Sequence, residues 1–377
     1  MLDKINIRYK INLDTSRFSG KFKHMLVPVP PSIDSETGEI LHEAYTIDKY
    51  IYRHNGLKFS YSRHSRMLII EGRLVNILKN RNLVCNITDY SINETINQLV
   101  PIVSSVGFCN SNYLYRNACS LIIAEVNNKL YELTGRQLDI SNFKTYLVEV
   151  SFNLFNVEHP NLYIKLFNRI FNNENKKNHK NYVKEQGLSD ETSFYVKTKS
   201  TYKKNINTNY TVNFYDKHNQ LNYCKNKPDN KVTVHDYDLD ISKNVLRLEV
   251  QAYSKELSKR DRSFKSYLDI YTCLSIIIKK YNQFICMNEN ADFYSYAGAK
   301  KVIELNKYLS NKDKSKLLEY IRDKYASKKK FSDTKERKYK NLLLQLNIHP
   351  YFIPSKWNID YLESPIKILK NQYKLHI

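Results

Sequence analysis

Glycine and proline are scarce in this chain, with 8 and 9 among 377 residues. That scarcity argues against a linker-rich or disordered polypeptide. Cysteine is also sparse: Cys85, Cys109, Cys119, Cys224, Cys273 and Cys286 are scattered, and no two have CxxC spacing. A zinc site is therefore not expected, and the six read as reduced, mostly buried thiols. Long apolar runs are missing. The longest in the helical part, Cys273–Ile278, falls far short of the roughly 20 residues needed to cross a bilayer. The opening "MLDKINIRYK" lacks the apolar core of a signal peptide, so a cytoplasmic chain without a membrane partner is expected. Acidic residues are in deficit too, with 38 Asp and Glu against 60 Lys and Arg, a net charge of +22.

Such an excess of positive charge points to a polyanionic partner, most often nucleic acid. The bland alternative is a Lys- and Asn-rich chain from an A+T-rich genome. The charge is concentrated, however: residues 161 to 234 hold 14 basic against 6 acidic side chains, and residues 300 to 340 hold 15 against 6. The length suits one large domain or two ordinary ones, each with a core.

Patterning divides the chain at about residue 255. Residues 1–255 read as strands with a few helices, and residues 256–377 as helical. The expected class is α+β: a mostly antiparallel sheet domain with flanking helices, then an all-helical basic C-terminal region. "GLKFSYS" and "RMLIIEGRL" alternate and form a hairpin around a polar turn. Amphipathic helices fit residues 92–107 and 136–147. "TYLVEVSFNLF", "SFYVKTKS", "NYTVNFYDK" and "NVLRLEVQAY" read as further strands. Residues 158–200 turn polar, with 172–187 the most loop-like part. The segment from Ser332 reads as helix, break, helix, with Tyr339, Leu342, Leu343 and Leu346 on one face, so a helix-turn-helix is expected to compete there with plain helical packing.

Side chains alternate faces along a strand. Leu246, Leu248 and Val250 share one face, while Arg247, Glu249, Gln251 and Tyr253 share the other. Glu149 stands opposite Val148 and Val150, and Glu71 opposite Leu68 and Ile70. Val212 and Phe214 oppose Thr211, Asn213, Tyr215 and Lys217. A solvated sheet face would explain this pattern. Convergence of the polar faces would instead gather Glu71, Glu149 and Glu249 as hard oxygen ligands for Mg²⁺ or Mn²⁺. Arg247 and Lys217 would then bind a phosphate group, and Tyr215 would be the nucleophile. A phenol with an ordinary pKa of about 10 needs a nearby cation to ionise at neutral pH. Tyr253, on the face of Glu249, is the competing nucleophile. His218 reads as a solvated loop residue, and Asp216 as a ligand or a turn cap.

Four motifs in order, "LIIEGRLVNILKNRNLV", "YLVEVSFNL", "VNFYDKHNQL" and "NVLRLEVQAYSKEL", resemble the gene II/gene X family of phage and plasmid replication initiators. These are the rolling-circle nickases of filamentous phage and related plasmids. The similarity extends weakly to the C-terminal part, where Trp357 falls in a comparable place. The resemblance implies that Tyr215 is the nicking nucleophile, with Lys217 beside it. It makes Glu71, Glu149 and Glu249 the metal or catalytic carboxylates and Arg247 a phosphate or structural partner. Glu149 stands where the family has Asp. No His-hydrophobic-His pair occurs, so the chain is not of the larger rolling-circle superfamily type that binds metal through that pair.

The implied function is origin binding and site-specific single-strand nicking through a covalent phosphotyrosine, starting rolling-circle replication of a plasmid or phage. The implied partners are double- and single-stranded origin DNA, a host helicase and a host polymerase, with a homodimer as one assembly. The residues leave three alternatives: a non-catalytic origin-binding replication protein, a mobilisation relaxase with the same chemistry, and an RNA-binding protein that stacks bases on its tyrosines.

Overall fold

The computed structural model describes residues 2–18, 22–28, 32–33, 40–42, 45–74, 111–173, 179–181, 189, 191–198, 209–226, 236–326 and 331–373. The chain is mixed α/β, with a large antiparallel sheet. Its strands in chain order are β1 (Leu2–Lys10), β2 (Lys23–Pro28), β3 (Ser32–Ile33), β4 (Ile40–His42), β5 (Tyr45–His54), β6 (Leu57–Ser62) and β7 (Met67–Arg73). They continue as β8 (Lys144–Leu154), β9 (His179–Asn181), β10 (Ser193–Thr198), β11 (Tyr210–Asp216), β12 (Leu246–Tyr253), β13 (Phe293–Tyr294) and β14 (Tyr361–Leu362). Ten of them form one sheet in the order β2-β5-β6-β7-β1-β8-β12-β11-β10-β9, while β3-β4 and β13-β14 are separate two-stranded ladders.

One face of the large sheet is apolar across its width. Phe59, Ile70, Ile7, Val148, Val150, Leu248, Val212 and Phe214 all belong to a single buried cluster. Helices cover this face. Helix Pro160–Asn173 buries Tyr163, Ile164, Leu166, Phe167, Ile170 and Phe171. The Phe167 ring meets those of Phe194, Phe214, Tyr281 and Phe293. Helix Ile270–Phe284 is started by Asp269, whose carboxylate accepts from the Thr272 amide, a side-chain cap on otherwise unpaired N–H groups. Helix Pro365–Gln372 has Ser364 as its cap and proline in its first turn, and Tyr373 just beyond it sets its ring edge-on to Phe152.

A second core gathers Ala299, Ile303, Leu317, Tyr320, Ile321, Leu343, Ile348 and Phe352. It is built by helices Tyr296–Leu305, Asn311–Tyr325 and Asp333–Gln345. Leu257, Ile277, Phe293, Ile353 and Leu369 belong to the first cluster instead, so a boundary at residue 255 runs through that core.

Several expectations meet a different structure. Residues 136–147 are not a helix: a 3-10 turn at Ile140–Asn142 leads directly into β8. The β-branched and aromatic residues Thr145, Tyr146 and Val148 favour the strand. Helices Pro160–Asn173 and Ser111–Thr134, and strand β1, were not anticipated. The region after residue 256 is not wholly helical, since β13 and β14 pair within it. Helix Asp333–Gln345 buries Leu343, but the rest of the segment to Leu362 holds a 3-10 turn at Ser355–Trp357 and strand β14, and the next α-helix begins only at Pro365, so the expected helix, break, helix does not form there. The helix expected over 92–107 falls outside the described residues, as do Cys85 and Cys109. Cys119, Cys273 and Cys286 are buried and Cys224 is half-buried.

Candidate active site on the polar face of the sheet

The strands β1, β8, β12 and β11 lie side by side, and their register brings the polar residues together. Tyr215 is paired with Arg247, Asn213 with Glu249, and Thr211 with Gln251. Glu249 is paired in turn with Ser151, and Gln251 with Glu149. Tyr215, Arg247, Glu149 and Glu249, for which alternation left convergence and a solvated sheet face both open, occupy one face.

Arg247 is the hub. It is 1% exposed, and it donates through Nη2 to Asp3 Oδ2 at 3.2 Å, through Nη1 to Asn153 Oδ1 at 3.3 Å, and through Nε and Nη2 to Glu249 Oε2 at 3.2 Å each. Burial alone would lower its pKa, but Tyr215, Glu249, Asp3 and Glu149 together hold it above the ordinary value. The Tyr215 hydroxyl donates to the same Glu249 Oε2 at 3.2 Å. Among the described residues, the hydrogen bonds to Glu249 all fall on Oε2. Burial pushes the Tyr215 phenol well above its ordinary value, partly opposed by Arg247.

The third acid at the centre is Asp3, not Glu71. Ligand oxygens of Asp3, Glu149 and Glu249 lie within 4.8 Å of one another. Asp3 is fully buried, with Arg247 on one oxygen and Arg73 Nε 3.5 Å from the other. Burial alone would raise its pKa, but Arg73, Arg247, a hydrogen bond with Glu149 and Lys217 together outweigh that and lower it. Glu149 goes the other way: burial, then the charges of Glu249 and Asp3, push it up to about 10. Three acids this close cannot all ionise cheaply, so Glu149 holds a proton at neutral pH. Gln251 Nε2 donates to Glu149 Oε2 at 3.0 Å, and the Tyr253 hydroxyl donates to Gln251 Oε1 at 2.5 Å.

Asp3 escaped the sequence reading because a bulge re-aims it. The pairings Leu2↔Val150 and Ile5↔Val148 leave one extra residue in β1. Leu2 and Ile5 therefore both face the apolar core, and Asp3 between them turns to the polar face. Strict alternation would have placed Asp3 with Ile5 and Ile7. The only available signal was an acid within an otherwise alternating strand.

Glu71 lies on the same face but apart from the triad. Its β1 partner is Asn6, which in turn pairs with Leu147, the position next to Glu149 on that face. Lys58 Nζ donates to Glu71 at 2.7 Å and Asn6 Nδ2 at 2.9 Å. Burial would raise its pKa, but Lys58 more than offsets that and holds it low. Lys217 is not a strand residue. It begins helix Lys217–Asn226, and its Nζ donates to Gln220 Oε1 at 3.0 Å while standing 5.9 Å from the Tyr215 ring centre. Asp216 caps that helix by accepting from the Asn219 amide and side chain. His218 Nδ1 lies 3.1 Å from the Leu239 carbonyl oxygen and 3.2 Å from Ser242 Oγ.

The donor set suits a hard divalent cation: three carboxylates with clustered oxygens. One buried oxygen on this face, Asn213 Oδ1, has no hydrogen-bond partner among the described residues, and Asp3 Oδ1 has the Arg73 ion pair at 3.5 Å but no hydrogen bond. Buried oxygens left in this way are what an ion or water satisfies. No family model, curated protein or solved structure matches the chain. Among the described residues, no helix is long and apolar enough to cross a membrane.

Proposed function

We propose that this protein is a replication initiator that binds an origin and nicks one DNA strand through Tyr215. The carrying observation is the convergence of the Tyr215 phenol, the Arg247 guanidinium and the Asp3, Glu149 and Glu249 carboxyls on one sheet face. Glu249 Oε2 is placed to take the phenol proton as Tyr215 Oη attacks phosphorus. The bond formed is Tyr215 Oη–P and the bond broken is P–O3′; the leaving 3′ oxygen takes a proton from water and is freed as the hydroxyl that primes synthesis. Arg247 stabilises phenolate character, and with Lys217 it supplies positive charge toward a phosphate. Mg²⁺ or Mn²⁺ held by Asp3, Glu149 and Glu249 would withdraw charge from the phosphodiester. Lys217 then acts from a helix start rather than from the strand. The α+β arrangement, with basic helices after the sheet, supports origin binding by the helical part, in keeping with 15 basic against 6 acidic residues over 300–340. A host helicase and polymerase are the partners this chemistry requires.

Supercoiled origin plasmid with Mg²⁺ or Mn²⁺ should give nicked circles and a protein–DNA adduct. Tyr215→Phe should give neither, Tyr253→Phe should give both, and Glu249→Gln should bind without cutting. Equal nicking by Tyr215→Phe removes Tyr215 as nucleophile. A mobilisation relaxase would share the chemistry but act at a transfer origin.

A second reading has an observation of its own. Tyr215, Arg247 and Asp3 are all buried, and with Glu149 protonated the network closes on itself, as a structural pin of a binding-only origin protein would. Absence of nicking with either metal, combined with salt-sensitive origin binding, selects that reading.

A further inference from the structure

We propose that the turn between helices Tyr296–Leu305 and Asn311–Tyr325 is a base-stacking wedge, with Leu305 and Tyr308 as the side chains that enter unpaired DNA. It rests on the DNA-binding part of the reading above and assigns a contact for it. Tyr308 is 96% exposed and Leu305 is 78% exposed. Neighbouring Leu309 turns inward and packs on the second core, so the segment sorts its apolar side chains instead of exposing them all.

The turn is firmly built. Asn306 Oδ1 accepts from the Tyr308 and Leu309 amides at 2.9 and 3.0 Å. Ser310 Oγ accepts from the Asp313 amide and donates to its carboxylate at 2.6 Å. Lys314 Nζ donates to the Glu304 carbonyl at 2.9 Å, closing the end of the preceding helix. Leu305 and Tyr308 are thus presented on a fixed backbone, which lowers the ordering cost of binding.

Charge selects the occupant. The stretch 300–316 carries six lysines against Glu304 and Asp313. Asp313 is bonded to Ser310, and Glu304 lies 3.7 Å from Lys300. Lys301, Lys307, Lys312 and Lys316 are exposed around the tip. Apolar wedges flanked by cations are how proteins unstack base steps while holding phosphates, and a tyrosine face stacks on any base. Two isolated apolar side chains are a poor anchor for a bilayer, which rewards buried area.

The test compares a duplex carrying a central unpaired bubble with the fully paired duplex of the same length. Wild type should favour the bubble. The double variant Leu305→Ser/Tyr308→Ser should weaken bubble binding about 10-fold, within the range measured for lost stacking, and change duplex binding by less than about twofold. Tyr308→Phe should retain the bubble preference. Unfolding midpoints should be unchanged, because neither side chain is in a core. Unaltered bubble binding by the double variant overturns the proposal. So does loss of binding to anionic phospholipid vesicles with bubble affinity intact, which would mark the tip as a membrane contact. Tyr215→Phe should keep the bubble preference. A bubble preference without any nicking by wild type would refute the nickase reading and leave the wedge standing, whereas nicking without a bubble preference would do the reverse.

Discussion

Glu149→Gln should make the metal-free protein more stable, although it removes a residue at the centre of the candidate site. Glu149 is pushed up to about 10 in the fold from an ordinary 4.5. Its contribution to stability is therefore fully present below pH 4.5 and is lost as pH rises toward 10, because the unfolded chain ionises first. From 4.5 to 7 is 2.5 pH units, and at 1.36 kcal/mol per unit the loss is roughly 3 kcal/mol. Asp3 and Arg247 share the proton's field, so about 2–3 kcal/mol is the working figure. Glutamine keeps the shape and the bond to Gln251, and its amide can donate where the acid proton did. Urea unfolding in a chelator at several pH values between about 6 and 9 measures this. The variant should lead at pH 7, and its lead should widen by about 1.4 kcal/mol per pH unit. Adding Mg²⁺ should then stabilise wild type by about 2.7 kcal/mol at a hundred times its Kd and leave the variant unchanged. Parallel stability curves for the two proteins across that pH range would refute a protonated Glu149.

Further outcomes follow from other contacts. Arg247→Met strands buried Asp3 and should cost about 3–5 kcal/mol by thermal or urea unfolding; a loss below about 1 kcal/mol would show that Arg73 alone suffices. Gly72 has φ +136°, and a Cβ there would lie 2.3 Å from the Gly56 carbonyl oxygen, so Gly72→Ala should cost more than about 1 kcal/mol and loosen the β6–β7 hairpin in amide exchange. Tyr215→Phe deletes one bond to Glu249 and should cost only about 1 kcal/mol, which separates its effect on adduct formation from any effect on folding.

The sheet was legible where period-two alternation was clean. β6 and β12 alternate apolar and polar residues throughout, β7, β8 and β11 do so with exceptions such as Ile69 and Leu147, and their pairing places Tyr215, Arg247, Glu149 and Glu249 on one face. The reading failed where local geometry departs from that period. A single extra residue in β1 moved Asp3 across the sheet, and a helix beginning at Lys217 removed that lysine from the strand. Glu71 satisfied the parity rule, yet parity fixes a face and not a position along it. Lys58 and Asn6 hold Glu71 away from the triad. Helix Pro160–Asn173 was missed because asparagines and basic residues dilute an apolar stripe that becomes plain only when Phe167 is seen among four aromatic rings.

Stability alone does not account for the cluster around Arg247. Well-packed apolar residues in place of a buried ion network are often neutral or stabilising. The flanking positions of β8 and β12 are already Val148, Val150, Leu248 and Val250 on the other face, so the chain has no shortage of apolar strand residues. Instead it buries an arginine with Asp3 and Glu149 beside a half-buried Glu249, and burial with the two neighbouring acids pushes Glu149 up. Three cations, Arg247, Arg73 and Lys217, act on Asp3 there. Replacing the Glu149 proton by a divalent cation would set three carboxylates against those three cations and the ion's own two charges. The local surplus would then be positive, on a sheet face whose Tyr215 hydroxyl is already bonded to Glu249. Under the proposed function, that surplus would complement a phosphodiester. Burial and the nearby acids outweigh Arg247 and hold the Tyr215 phenol well above its ordinary value.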